Sequence, residues 1–388
     1  MNRHLQLKQV ITGKFIDSFG RPATYLVQAP GRVNLIGEHT DYNDGFVLPC
    51  AIDFQTMVAV EPRSDNIICV VASDYENQKD EFDFSKPIEK HPTYLWADYI
   101  RGVFNCFKQG GYNLQGANLV VCGNVPQGAG LSSSAALEVA IGQTIKTYCQ
   151  IDISQQDIAL IGQRAENDFV GCNCGIMDQM VSAKGKEHHA MLLDCRSLET
   201  RNVKIPASIS IMIINSNVKR GLLDSEYNAR REQCEQAAVH FNVPALRDVS
   251  MQMFEENVIG LNSLTANRAR HVISENERVL VAEKALKNQD IEALAVLMEK
   301  SHQSMKNDFE ITVPQIDYLV DIIKSVIKEK GGVRMTGGGF GGCVVALLPT
   351  CLTEIVSQTI EEKYQAKTGL TADILICKAM SGASEITG

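Results

Sequence analysis

Between an apolar, strand-like run (Ala117 to Val121) and a run with apolar residues at helical spacing (Ala135 to Ile145), the chain reads Gly128-Ala129-Gly130-Leu131-Ser132-Ser133-Ser134. Strand, glycine-rich turn and helix in such close succession restrict the chain to folds in which sheet and helix pack together. The turn also opens the helix, so several backbone N–H groups and the positive end of the helix dipole face one point. Three consecutive serines add hydroxyls that can meet phosphate oxygens or a magnesium ion. A serine cap on a tight glycine turn is the plainer reading of the same residues. No Walker A pattern occurs, because neither Gly13-Lys14 nor Gly185-Lys186 is followed by Ser or Thr. A nucleoside triphosphate would be held by a different loop.

At 388 residues the chain is long enough for two domains. Its 45% apolar and 21% charged residues are those of an ordinary soluble globular protein. A formal net charge of −9 argues against nucleic acid as a main partner, so a small anionic substrate needs a local positive site. Twelve cysteines are scattered through apolar stretches such as Ile68-Cys69-Val70 and Gly342-Cys343-Val344. That scatter predicts buried, reduced thiols and a cytoplasmic protein. The first residues lack the apolar core of a signal peptide, and no apolar run reaches membrane-spanning length, which predicts no membrane association.

Strand and helix signals alternate in the first half, with strands expected at 24–28, 56–60, 67–72, 118–121 and 190–193. Helices are expected at 94–108, 133–148 and 154–169, the last opening on a Ser154 cap. Arg201 to Pro206 reads as a connector, dividing the chain into residues 1–200 and 201–388. Beyond it come a β-rich run at 209–214, helical stretches near 224–241, 265–287, 290–306 and 314–329, and strands at 343–348 and 372–377 flanking a helix near 352–366. Strands interleaved with helices in both halves give an α+β or α/β architecture.

Two further clusters carry chemistry. In Gly31-Arg32-Val33-Asn34-Leu35-Ile36-Gly37-Glu38-His39-Thr40-Asp41-Tyr42, a short apolar stretch ends in four polar residues. Glu38 and Asp41 offer carboxylate acceptors, His39 donates or accepts, and Thr40 adds a hydroxyl, a set suited to a polyhydroxylated ligand. A solvated turn is the plainer alternative. Thr336-Gly337-Gly338-Gly339-Phe340-Gly341-Gly342 contains a formal G-x-G-x-x-G, but a strand rather than a helix follows, which excludes a dinucleotide site. Its glycines instead imply backbone lying close to another loop or a ligand. Between these clusters, Cys172 and Cys174 lack a second cysteine pair at metal-binding spacing and read as small core thiols.

Together the three clusters resemble the kinase superfamily named for galactokinase, homoserine kinase, mevalonate kinase and phosphomevalonate kinase. All three of its motifs appear in order, and Gly31 to Tyr42 resembles the signature of the galactokinase branch without a departure. The resemblance implies two α+β domains: an N-terminal mixed sheet with helices, and a C-terminal ferredoxin-like α+β domain, with the site in the cleft between them. It implies transfer of the γ-phosphoryl of ATP to the anomeric hydroxyl of galactose, with Mg²⁺ assisting. Glu38, His39, Thr40, Asp41, Gly175 and Tyr227 would bind the sugar, and Gly128 to Ser134 would hold the ATP phosphates. Ser134 and Glu166 would serve Mg²⁺, and Asp178 would be the catalytic carboxylate with Arg32 as its partner. The partners expected are therefore small molecules, bound by a monomer. An N-acetylgalactosamine kinase and a galactose and ATP sensor without turnover are the alternatives.

Overall fold

The structure is a computed structural model that describes residues 3–218 and 223–387. A six-stranded sheet runs in the order Ser384–Glu385, Tyr25–Asn34, Pro49–Pro62, Ala117–Gly123, Ile67–Ala72 and Gln78–Asp83. All of its neighbours are antiparallel except the parallel pair Ile67–Ala72 and Ala117–Gly123. Side chains of a strand alternate between faces, and both faces here are covered. Val58 and Val60 pack with Leu119 and Val121 beneath the helices Leu95–Gln109 and Ser133–Tyr148. Met57 and Ala59 point the other way, onto Leu7, Ile11 and Phe15 of the helix Arg3–Phe19. That opening helix and the strand Gln78–Asp83 lie outside the sequence expectations, the helix because only three of its residues are fully buried.

A second, four-stranded antiparallel sheet is ordered Gly332–Thr336, Cys343–Pro349, Ile209–Asn215 and Asp373–Cys377. With the intervening helices this is the ferredoxin-like order. A small sheet of Phe46–Val47, His189–Asp194 and Thr200–Lys204 bridges toward it. Residues 201–206, expected as a connector, thus supply a strand whose single buried side chain, Val203, leaves little alternation to read. The two halves share one apolar cluster, in which Leu35, Ile36 and Leu48 meet Ile211, Val279 and Val345. The molecule is a two-domain α+β fold, and the segments that carry chemistry converge along that shared seam.

Beyond Asp373–Cys377 the chain crosses back to the first sheet. The Met380 amide donates to the Ala51 carbonyl at 3.0 Å, and Val27 pairs with Glu385. The cysteines divide by burial. Cys50, Cys106, Cys122, Cys234, Cys343 and Cys377 are buried as expected, whereas Cys172 and Cys351 are exposed and Cys69 and Cys174 are partly so. Cys172 and Cys174 are therefore not core thiols, because the segment holding them borders a cavity instead of the sheet.

Candidate active site

The helix Ser133–Tyr148 begins without a side-chain cap. Ser132 occupies the cap position in a left-handed conformation (φ 59°), and its hydroxyl donates instead to Asp178 Oδ2. The loop carbonyls face the protein: Gly130 O accepts from Arg32 Nη1 at 2.6 Å, and Leu131 O from the Arg32 amide at 3.1 Å. The helix therefore offers its first amides uncapped, with the positive dipole end behind them. The side chains of Ala129 and Leu131 are buried in the shared apolar cluster, so these two residues have only backbone to offer a ligand.

Cavities open on both sides of this loop. One, of about 310 Å³, is lined by Arg32, Glu38, His39, Asp41, Asp178 and Tyr227 among others. The second, of about 580 Å³, has Gly128, Ser133 and Ser134 on its floor and Tyr75, Tyr94 and Trp96 on its wall. Those three rings form a stacked series, with centroids 6.3 Å apart for Tyr75 and Trp96 and 5.9 Å for Tyr94 and Trp96. The aromatic wall was not foreseen from sequence, since its members lie scattered over two segments.

Asp178, in the first turn of the short helix Met177–Lys184, lines the smaller cavity and accepts from the Ser132 hydroxyl of the loop. Arg32 meets it as a fork: Nε donates to Oδ1 at 2.6 Å and Nη2 to Oδ2. Such bidentate pairing fixes the carboxylate plane. Oδ2 takes two donors, whereas Oδ1 takes one and keeps a lone pair for a further proton.

The polar quartet folds as a tight loop. Glu38 is buried, and its Oε1 accepts from Arg334 Nη2 at 2.9 Å, Thr336 Oγ1 at 2.9 Å and the Gly337 amide at 2.8 Å. Among the described residues, Oε2 accepts only from Asn34 Nδ2 at 2.9 Å. His39 has φ 62° and shares a 2.8 Å hydrogen bond between Nδ1 and the Tyr42 hydroxyl, while its Nε2 makes no full hydrogen bond among the described residues. Burial, followed by neighbouring His271, pulls the imidazole down to about 3, so it is neutral. Burial and then the Asp178 charge push Asp41 up to about 6. Tyr227 packs against His39 and Tyr42 at 5.3 and 5.4 Å between centroids. Gly175 lies against the Asp41 carboxylate so closely that a Cβ there would collide with it. The residue must be glycine for the loop and Asp41 to share that wall.

Thr40 is the one member of the quartet that the fold keeps out of the cavity. Its hydroxyl faces the carbonyls of Gly37 at 3.0 Å and Phe46 at 2.7 Å, so its bonding capacity serves the loop itself. The glycine-rich segment after Arg334 binds no ligand cavity through most of its length. It approaches a neighbouring loop, with the Phe340 amide donating to Ile311 O at 2.7 Å, and it grips Glu38. Arg334, fully buried, was missed from sequence because a lone arginine in a strand carries no motif.

Glu166 sits in a π-helical turn, Ala165–Val170, that swings it toward the loop and within hydrogen-bonding reach of the Ser134 hydroxyl. Gln179 Nε2 donates to it at 2.6 Å and to buried Glu138 at 3.0 Å. Burial, and then the neighbouring carboxylates, push both Glu138 and Glu166 upward. Among the described residues no group of three or more His, Cys, Asp or Glu could cage a metal ion. Glu166 and the Ser134 hydroxyl could still offer two oxygen ligands to a magnesium ion, which takes most of its ligands from phosphates and water.

This fold and the loop between the cavities define a GHMP kinase. Residues 98–186 match the GHMP kinases N terminal domain and residues 282–364 the GHMP kinases C terminal domain. Mevalonate kinase of Methanococcus jannaschii shares the fold at 16% identity and a TM-score of 0.65, with 92% of this chain and 98% of that one covered. Homoserine kinase of Cytophaga hutchinsonii does so at 14% and 0.59, with coverage of 93% and 97%. Residues 13–62 match the galactokinase galactose-binding signature. Galactokinase of Lactococcus lactis, solved in complex with galactose, is 31% identical over 98% of this chain and 100% of its own, with a TM-score of 0.92. The chain belongs to the galactokinase family and is an ATP-dependent kinase.

Proposed function

We propose that the chain phosphorylates galactose, moving the γ-phosphoryl group of ATP to the anomeric hydroxyl. The products are galactose 1-phosphate and ADP. One observation carries this reading: an uncapped glycine-serine helix start lines an aromatic-walled cavity, and its Ser132 hydroxyl donates to Asp178, which lines the smaller cavity with Glu38, His39 and Asp41.

In this reading the adenine lies against Tyr75, Tyr94 and Trp96, and the phosphates meet the amides of Gly128 to Ser134. Galactose occupies the smaller cavity, where Glu38 and Asp41 accept from its hydroxyls and neutral His39 contributes Nε2 as donor or acceptor. Gly175 and Tyr227 close the wall around it. The anomeric oxygen attacks the γ-phosphorus, the bond to the bridging oxygen breaks, and the hydroxyl proton passes to the open side of Asp178 Oδ1. Arg32 holds that carboxylate and adds positive charge where the transferred group accumulates negative charge. Ser134 and Glu166 would hold Mg²⁺, which neutralises phosphate charge when bound.

The site contacts hold the acceptor in line, a contribution that reaches roughly 7–11 kcal/mol in well-aligned systems. No described helix is long and apolar enough to cross a membrane; a monomer acting in the cytoplasm is a further part of this reading. An ADP-release assay across galactose, N-acetylgalactosamine, mevalonate and homoserine, with and without Mg²⁺, tests the reading. Galactose with Mg²⁺ is expected to turn over fastest. Galactose binding with zero turnover would make the chain a sensor, and preference for N-acetylgalactosamine would reassign the substrate.

A further inference from the structure

The turn Gly37-Glu38 is held from behind by residues that line neither cavity. We propose that Glu275 and Ser301, on separate helices of the C-terminal half, are positioning residues for sugar binding that act through this turn. The inference rests on the galactose reading above.

The geometry is a closed ring of hydrogen bonds. Gly37 adopts φ 99°, a conformation open to glycine, and its amide donates to Glu275 Oε1 at 2.9 Å. The same oxygen accepts from Ser301 Oγ at 2.7 Å. Ser301 Oγ in turn accepts from Arg334 Nη1 at 3.2 Å, and Arg334 Nη2 donates to Glu38 Oε1 at 2.9 Å. Backbone Gly37 and side chain Glu38, adjacent in sequence, are thus the two ends of one path through Glu275, Ser301 and Arg334. All three of these are fully buried.

Charge balances within the ring's surroundings. Arg278 Nε donates to Glu275 Oε2 at 2.6 Å, so two arginines face two carboxylates. Burial pushes the Glu275 carboxyl up, yet Arg278, His271 and Arg334 together hold it down at about 2. In a low-dielectric interior each member depends on the others being present, so losing one shifts the rest.

The consequence falls on one substrate. Glu38 and His39 both hang from this turn and both line the smaller cavity. His271 Nε2 adds a contact to the Glu38 carbonyl at 3.1 Å from the same helix face as Glu275. Among the described residues, the lining of the aromatic cavity, Gly128, Ser133 and Ser134 included, contains no member of the ring. Loosening the ring should therefore tilt the sugar ligands while leaving the nucleotide side in place.

The test compares wild type, Ser301→Ala and Glu275→Gln by calorimetric galactose binding and by KM for each substrate, with unfolding midpoints as a control. Ser301→Ala is expected to weaken galactose binding and raise its KM about three- to tenfold, the range one hydrogen bond commands. Glu275→Gln should act in the same direction and more strongly, and KM for ATP should stay within about twofold in both. A merely structural ring lowers the midpoint and the active fraction but leaves the folded enzyme's galactose Kd and KM unchanged, and that result overturns the inference. Should Glu275→Gln fail to fold, Ser301→Ala decides. If wild type does not bind galactose, reading and inference fall together. If it binds and the variants match it, the inference falls alone.

Discussion

Asp178 and Asp41 are neighbouring carboxylates given opposite treatment by their surroundings. Asp178 is gripped by the Arg32 fork and by Ser132. Asp178→Asn keeps the shape but removes the proton acceptor, and is expected to lower kcat about 10²- to 10⁴-fold with galactose Kd little changed, read by single-turnover kinetics and calorimetry. Asp41 has no such partner: burial and the Asp178 charge leave it at about 6, with Glu38 adding to the repulsion and Arg32 only partly offsetting it. Because a sugar hydroxyl donates to the carboxylate form, galactose affinity should be greatest above pH 6 and weaken as pH falls, about tenfold per unit well below it. His39, at about 3, does not change charge in that window. Stability runs the other way. A carboxyl raised above its unfolded value binds its proton more tightly when folded, so its contribution is full below about 4 and lost as pH rises through about 6. Asp41→Asn should flatten both profiles, measured by binding titrations and melting curves from pH 4 to 8.

Among the elements, the helix Gln155–Arg164 and the π-helical turn that extends it show how local signals reach the site. Ser154 caps the helix, its hydroxyl accepting from the Asp157 amide at 3.1 Å. Ser154→Ala should cost about 1 kcal/mol in chemical denaturation while leaving kcat unchanged, because the cap lies a full helix away from Glu166. That cap was legible in sequence because it rests on a contact three residues apart, and the strand-loop-helix around residue 130 because its apolar runs and glycines are consecutive, although Arg32 and Asp178 that hold the loop are not. Glu38, His39 and Asp41 were legible as a dense polar run, whereas Thr40 was not separable from them, since its turn inward depends on the carbonyl of Phe46. Arg334 and the aromatic wall of Tyr75, Tyr94 and Trp96 were illegible for the same reason. Their meaning lies in partners far along the chain, and one residue's identity does not encode a long-range neighbour.

Across the whole molecule, the two halves are joined by a common apolar cluster and by the returning segment that pairs with Tyr25–Asn34. Removing residues 379–388 should strip the partner from that strand, lower the melting temperature and promote self-association through the exposed edge, read by scanning calorimetry and light scattering. Gln28 Nε2 reaches the Ser384 hydroxyl at 3.3 Å across 356 residues of sequence. On a ribosome that separation becomes a waiting time. The strand Tyr25–Asn34 emerges well before the neighbour that completes its sheet, 356 residues later by the Gln28 to Ser384 separation, so through that stretch of elongation the nascent chain carries an open hydrogen-bonding edge. Expression yield should therefore respond to translation speed and chaperone supply even where the finished enzyme is stable.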